Sequence, residues 1–190
     1  MDKEKKLEQL YASVSSMTNN PLVIPGSTHI VFGEGPADAD IMIIGEAPGK
    51  EEDELGRPFV GRSGKLLTRA LESIGLQRDK IYITNIVKTR PPNNRTPSLQ
   101  EIEIGRSLLF KQIQIIQPKI ICTLGASALE GLNPDVIQKP FRITKLRGKV
   151  FPYNVAKLLP TLHPAYILRN PAAAELFLRD LLTLKKAACI

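Results

Sequence analysis

Three side chains in this sequence combine a chemically useful group with a position beside a predicted strand or loop. His163 ends an apolar strand-like run, just before Pro164. Asn85 ends another such run, and its carboxamide offers both a hydrogen-bond donor and an acceptor. Phe59 is an isolated aromatic residue in the polar, glycine-bounded loop GRPFVG. On the residues alone, each also has a structural interpretation: a turn-capping histidine, a turn-closing asparagine and a loop anchor folded onto the core.

Alternating strands and helices are predicted to position these groups. Short apolar runs predict four strands, near residues 41–44, 81–87, 119–124 and 156–162. Helical spacing and capping signals, including Ser63 and the capping box Ser98–Glu101, predict helices near residues 3–17, 63–74, 98–116 and 171–186. Residues 50–61 are predicted to form a long loop, and residues 141–150 to form turn or short-strand structure.

This order of elements predicts an α/β fold, a three-layer α/β/α sandwich around a mainly parallel four-stranded sheet. We expect one domain over residues 1–190, in which residues 1–30 form an N-terminal helix and loop extension. In such sheets, ligands bind beyond the carboxyl ends of the strands. Those ends carry residues 45–49, 84–85 and 163–164, so these groups should converge on one rim.

Composition narrows the class of partner. The 190 residues include 26 Lys and Arg against 19 Asp and Glu, a formal net charge of +7, which favours binding to a polyanion such as nucleic acid. No apolar run approaches the roughly 18 residues that a membrane span requires, and residues 1–10 lack a signal-peptide core, so we expect a cytoplasmic enzyme without membrane contact. Cys122 and Cys189 are too few for a four-cysteine metal site, and no clustered metal ligands stand out.

Five sequence pieces stand in a fixed order: GEAPGKEED (45–53), GRPFVGRSGKLL (56–67), YITNIVKTRPPNNR (82–95), ITKLRGK (143–149) and HPAYILRNP (163–171). Together they resemble the family 4 uracil-DNA glycosylases of the uracil-DNA glycosylase superfamily, over roughly residues 31–186. The resemblance implies a monofunctional repair glycosylase. Such an enzyme flips uracil out of DNA and hydrolyses its N-glycosidic bond, leaving an abasic site.

The same resemblance implies roles for the three side chains first singled out. His163 would lie against uracil O2 and stabilise the leaving anion, a contact that strengthens as charge develops. Asn85 would read the O4 and N3–H edge of uracil and reject cytosine. Phe59 would stack beneath the flipped base, a contact worth ~1–3 kcal/mol.

The first motif supplies two further candidates. Glu46 would lie on the pocket wall, both as a catalytic and as a uracil-binding residue, and exclude the methyl group of thymine. Ala47 would lie beside the catalytic water. Since alanine cannot act as a base, water activation would rely on the backbone, on Glu52 or on Asn94.

The remaining motifs imply a DNA-contacting surface. The loops at residues 61–64 and 90–97 would hold phosphates near the flipped nucleotide, where backbone N–H groups suit an anion. Residues 165–169 would wedge into the duplex. The predicted DNA contacts are Arg62, Ser63, Arg90, Pro91, Asn94, Arg95, Tyr166, Leu168 and Arg169. The partner is uracil-containing DNA, and we expect a monomer.

This chain departs from the family in its cysteines. Family 4 enzymes typically carry a [4Fe–4S] cluster held by four cysteines, and the sequence places Thr18, Pro21, Thr89 and Gly105 at those positions. None of these residues supplies a thiolate. We therefore predict that the protein has no cluster or other metal, and that packing by residues such as Leu22, Val23 and Ile24 replaces it.

Other functions remain open from the sequence. A superfamily member with altered base choice, acting on hypoxanthine or 5-hydroxymethyluracil, would need few pocket changes. A non-catalytic protein that binds uracil or abasic DNA is a second alternative, which the joint presence of His163, Asn85 and Phe59 disfavours. Another branch of the superfamily traps uracil-DNA covalently through an inserted basic loop that contains a histidine, and GRPFVGRSGKLL runs on without that insertion.

Overall fold

A twisted sheet of five strands forms the centre of the protein, which a computed structural model describes over residues 2–189. The predicted domain of residues 1–190 includes two terminal residues, 1 and 190, that lie outside the described residues. The strands are β1 (Ile41–Gly45), β2 (Tyr82–Asn85), β3 (Ile120–Leu124), β4 (Phe151–Tyr153) and β5 (Ala156–Thr161). They lie in the order β2-β1-β3-β5-β4, and only β4 runs antiparallel to its neighbour.

Helices cover both faces of this sheet. They are α1 (Lys3–Ser15), α2 (Lys50–Leu55), α3 (Arg62–Ser73), α4 (Leu99–Ile116), α5 (Gly125–Leu132), α6 (Ile143–Leu146), α7 (Pro164–Arg169) and α8 (Ala174–Ala188). Alternate side chains of a strand point to opposite faces, so Ile43 packs with Leu67 of α3 and Phe177 of α8, whereas Ile44 belongs to the core that includes Leu109 of α4. Within the described chain, no helix is long and apolar enough to cross a membrane.

The predicted α/β class with a mostly parallel sheet is confirmed, but the predicted number of four strands is wrong. The fifth strand, β4, has only three residues and pairs with β5 as an edge hairpin. Pro152 at its centre cannot donate to a ladder, which is tolerated at an edge and hides the strand from pattern recognition. The strand also lies just after residues 141–150, where turn or short-strand structure was expected and α6 forms instead.

Short helices account for the other differences. The predicted loop at residues 50–61 contains α2, whose sequence KEEDEL has no apolar periodicity and which ends at the left-handed Gly56. Helix α3 begins at Arg62 after the N-cap Gly61, not after Ser63. Helices α5 and α7 directly follow β3 and the end of β5, and their brevity gives little helical signal. The capping box at Ser98 is present as predicted.

One buried hydroxyl ties the N-terminal segment to the body. Thr89 is fully buried; its Oγ1 donates to the Leu22 carbonyl at 2.5 Å and accepts from the Ile24 N–H at 3.1 Å. Leu22 and Ile24 are themselves buried, whereas Val23 between them is 46% exposed. The packing expected of these three residues therefore comes from two of them, together with a hydrogen-bonded bridge.

Replacing this hydroxyl should loosen the N-terminal segment. In Thr89→Val the side-chain shape is kept, but two buried backbone groups lose their partner, so we expect the free energy of unfolding to fall by about 1–3 kcal/mol. Urea denaturation measures the change. The matched control is Thr183→Val on α8, whose hydroxyl bonds within its own helix and which should change stability by less than about 0.5 kcal/mol. Equal losses in the two variants would show that the Thr89 bridge carries no special weight.

Candidate active site

The carboxyl ends of β1, β2, β3 and β5 border one cavity of about 600 Å³, here called the rim cavity. The predicted convergence of the three strand-end motifs is therefore present. The predicted site residues that line the rim cavity are Glu46, Ala47, Glu52, Phe59, Ser63, Asn85, Pro91, Asn94, Arg95, His163 and Arg169. The predicted residues outside its lining are Arg62, Arg90, Tyr166 and Leu168.

His163 is the N-cap of α7, and this position determines which ring nitrogen carries the proton. The Ala165 N–H donates to His163 Nδ1 at 3.1 Å, so the neutral ring carries its proton on Nε2. Burial, followed by the positive charge of Arg169, lowers the pKa of His163 to about 4, although Glu52 opposes the shift. Near neutral pH the ring is therefore an uncharged donor through Nε2–H.

Asn85 ends β2 and is 1% exposed, yet its side-chain Oδ1 has no hydrogen-bond partner among residues 2–189. A buried polar atom without a partner is destabilising, and such groups are rare in folded proteins. Gly45 lies beside this amide: a Cβ atom there would collide with Asn85 Oδ1 and with the Phe59 ring. The glycine therefore leaves room for the amide and the aromatic ring to lie side by side.

A buried lysine fixes the backbone beneath Asn85. Lys88 is fully buried, and its Nζ donates to Thr84 Oγ1, to the Asn85 carbonyl and to Gln112 Oε1, each at 2.7 Å. Burial lowers the pKa of the Lys88 ammonium, whereas three oxygen partners favour its charged form. Gln112 also donates to the Phe32 carbonyl at 2.9 Å, so the turn after β2 is joined to α4 and to the preceding loop. Sequence reasoning did not find this role of Lys88.

Glu46 lies just beyond β1 and is half-buried at the rim cavity. Burial raises the pKa of its carboxyl group, and a hydrogen bond with Ser127 opposes that rise. Ser127 belongs to α5, the helix that was not predicted, so sequence reasoning missed this contact. Ala47 also lines the rim cavity and carries no acid or base.

The Phe59 ring is 7% exposed, and its centroid lies 6.0 Å from that of His163. Beside it, Glu52 Oε1 accepts the N–H groups of Val60 at 2.9 Å and Gly61 at 2.8 Å. One carboxylate oxygen of Glu52, a candidate for water activation, is thus engaged in holding the loop that follows Phe59.

The surface around the rim cavity carries exposed cations and apolar side chains. Arg62 and Arg169 are exposed, and Tyr166 and Leu168 on α7 are 40% and 38% exposed. Arg95 instead pairs with Glu101 through both terminal nitrogens, at 2.8 and 2.6 Å. The surface thus offers both charged and apolar groups to a bound polyanion.

Arg90 and Asn94 contact each other within the loop at residues 90–97. Arg90 Nε donates to Asn94 Oδ1 at 2.8 Å. Pro91 is buried, while Asn94 is exposed and has a left-handed backbone, with φ of 54°. Among the described residues, no group of three or more His, Cys, Asp or Glu side chains is arranged to hold a metal ion.

Comparisons with known proteins show the family of this chain. Residues 32–184 match the family described as the uracil DNA glycosylase superfamily. A type-4 uracil-DNA glycosylase of Thermotoga maritima is 45% identical over 88% of this chain and 86% of its own length. A type-4 enzyme of Saccharolobus solfataricus is 46% identical over 83% of this chain and 75% of its own length.

A third relative extends the same pattern. The type-4 uracil-DNA glycosylase of Sulfurisphaera tokodaii is 45% identical over 85% of this chain and 76% of its own length. The family match includes the strand ends that border the rim cavity. On this identity and coverage, the chain belongs to the uracil-DNA glycosylase superfamily.

Proposed function

We propose that this protein is a DNA-repair glycosylase that flips uracil out of DNA and hydrolyses its N-glycosidic bond, leaving an abasic site. The observation that carries the proposal is the unpartnered amide oxygen of Asn85, buried in a cavity beside Phe59 and the neutral His163. Its type-4 relatives are named for this activity. We further propose that it acts as a monomer in the cytoplasm.

Recognition of uracil follows from the chemistry of the Asn85 amide. Oδ1 can accept the uracil N3–H, and the amide N–H₂ can donate to uracil O4. Cytosine presents a ring-nitrogen acceptor and an amino donor in these places, so a fixed amide would face both with the wrong group. Lys88 holds the Asn85 main-chain carbonyl and thereby fixes the backbone from which the amide projects. Phe59 supplies the stacking surface under the flipped base.

Cleavage develops negative charge on the departing uracil and positive charge on the sugar. His163 Nε2–H can donate to uracil O2, and this hydrogen bond strengthens as O2 becomes negative. Glu46 lies on the cavity wall, where it can exclude the thymine methyl group. The attacking water would be held near Ala47 by backbone groups, by Glu52 or by Asn94, all at the rim cavity. DNA would contact the rim through basic and apolar side chains in three segments, residues 61–64, 90–97 and 165–169.

The decisive assay is release of uracil from single- and double-stranded oligonucleotides under single-turnover conditions, detected by alkaline strand cleavage. We expect His163→Ala to lower the rate constant by about 10²-fold, as for loss of an anion-stabilising donor, with little change in binding to abasic DNA. Parallel substrates containing hypoxanthine, 5-hydroxymethyluracil and thymine test base choice. Binding without release of any base would overturn the proposal and favour a non-catalytic reader of uracil in DNA.

The charge state of His163 gives a separate prediction about pH. Its pKa is about 4 in the folded protein, against 6.5 for an exposed histidine, so the unfolded chain binds more protons between these values. The stabilisation associated with His163 is therefore fully present above about pH 6.5 and is lost as pH falls towards 4. NMR titration of the imidazole should show a neutral ring at pH 6.5. A midpoint at or above that pH would contradict a neutral donor.

We also propose that the protein works without an iron–sulfur cluster. The four aligned positions do not fit one: Thr18 and Pro21 are exposed, and Thr89 is buried in the bridge to Leu22 and Ile24. At Gly105 an added Cβ would collide with the Ile86 carbonyl oxygen, so backbone occupies the space of a side chain. None of these residues offers a thiolate, and the chain has only two cysteines.

Purification tests this proposal directly. Protein isolated with exclusion of air should contain no stoichiometric iron or sulfide and should lack the broad absorbance near about 400 nm that such clusters give. Uracil release should persist in the presence of a metal chelator, because no step above requires a metal. Iron at one cluster per chain, with activity lost on its removal, would refute a cluster-free enzyme while leaving the glycosylase proposal intact.

A further inference from the structure

Phe59 has a backbone conformation that a non-glycine residue adopts only at a cost. Its φ is 50°, in the left-handed region, although it is a bulky aromatic residue. Such strain persists only where the surroundings hold it, and it concentrates at functional sites. The fit around Phe59 is close, since a Cβ atom added at Gly64 would collide with the Phe59 carbonyl group. Contacts from neighbouring side chains must therefore hold the backbone of Phe59 in this conformation.

Arg78 holds the first half of the strained segment. Its Nη2 donates to the Pro58 carbonyl at 2.6 Å, and its Nη1 donates to the Phe59 carbonyl at 3.0 Å. Nη1 also donates to Thr68 Oγ1 on α3 at 3.1 Å, which fixes the plane of the guanidinium. The side chain is 17% exposed, and Glu34 lies 3.9 Å from its Nε. Arginine suits this position because its planar fork presents several donors at fixed angles.

Glu52 holds the second half of the strained segment. Its Oε1 accepts the Val60 and Gly61 N–H groups, which directly follow the two carbonyls bound by Arg78. Four consecutive residues, 58–61, thus have one backbone group each bound by a charged side chain from outside the loop. The cation binds carbonyl oxygens and the anion binds N–H groups, so each charge meets the matching end of the peptide dipoles. We call residues 58–61 the clamped segment.

We propose that Arg78 and Glu52 are positioning residues that hold the Phe59 ring at the height and tilt needed to stack under the flipped uracil. This inference rests on the proposed function, since it assigns a purpose to the clamped segment within that reaction. It also gives Glu52 a positioning role in place of water activation. Both residues act through Phe59, so their loss should matter only while Phe59 has an aromatic ring to position.

A double-mutant cycle tests this dependence. Arg78→Met keeps the length of the aliphatic stem and removes the fork, and should lower the single-turnover rate at saturating enzyme about tenfold through impaired stacking. Phe59→Ala combined with Arg78→Met should be no slower than Phe59→Ala alone, because no ring remains to be misplaced. His163→Ala combined with Arg78→Met should lose the full product of the two effects. If Arg78→Met lowers the rate by the same factor in the Phe59→Ala background as in the His163→Ala background, the positioning role of Arg78 is overturned.

Arg57→Met is the matched control. Arg57 forms two hydrogen bonds with Glu34, at 2.7 and 2.9 Å, but no hydrogen bond joins its side chain to the clamped segment. Its loss should leave the rate within about twofold of the parent enzyme. Arg78→Lys serves as a second variant in case Arg78→Met folds poorly. It retains a charge near Glu34 but lacks the fork, so it should show the same coupling to Phe59.

Glu52 is tested by rescue. Glu52→Ala removes the acceptor and should slow cleavage, whereas Glu52→Gln retains an amide oxygen that can accept both N–H groups and should restore most of the lost rate. If Glu52→Gln is as slow as Glu52→Ala, the carboxylate charge itself is required and the positioning role of Glu52 is overturned.

A readout that needs no catalysis separates this inference from the proposed function. In Arg78→Met, hydrogen exchange at the Val60 and Gly61 amides should become at least about tenfold faster, while that at buried amides of β3 should not change. Unchanged exchange in the clamped segment would overturn the inference even in an active enzyme. Conversely, faster exchange in a protein that releases no base would support the clamp and refute the glycosylase proposal.

Discussion

The arrangement around Asn85 constrains much of the active site. Its main-chain carbonyl is bound by the buried Lys88, while its side-chain oxygen is left without a partner among the described residues. A folded chain normally satisfies both kinds of group, since an unpaired buried acceptor costs about 1–3 kcal/mol. Gly45 and the Phe59 ring enclose the amide without bonding to it. The backbone of Asn85 is thus held by Lys88, while its side-chain oxygen is left available to a ligand.

Hydrogen bonds also tie the loop around Thr89 to the N-terminal segment. The Thr89 hydroxyl bonds the Leu22 carbonyl and the Ile24 N–H, and the backbone at Gly105 lies close to the Ile86 carbonyl oxygen. Neither position contributes to the lining of the rim cavity. The tether at Thr89 is therefore separate from the groups that line the rim cavity.

The sequence was sufficient for the fold class and for the residues at strand ends, because apolar runs locate parallel strands and their carboxyl ends must meet. His163 and Asn85 could be singled out in this way, and Phe59 as an isolated aromatic residue in a glycine-bounded loop. Lys88 could not be given its role, because a lysine near a loop carries no sign that Gln112, 24 residues away, will bury it. The role of Arg78 was also missed, because the sequence does not show that this side chain binds the backbone carbonyls of Pro58 and Phe59. Edge strand β4 was missed because Pro152 interrupts the pattern.

Charge at the rim must suit both DNA phosphates and a neutral histidine. Cations such as Arg169 suit DNA phosphates, and a nearby cation also disfavours a second positive charge on His163. Phosphate binding would offset part of the Arg169 effect, but burial is the larger cause of the low pKa, and a bound base would exclude more water. The ring should therefore remain neutral in the complex. A neutral ring whose Nδ1 is occupied by the Ala165 N–H can only donate through Nε2, which is the hydrogen bond that a departing uracil anion requires.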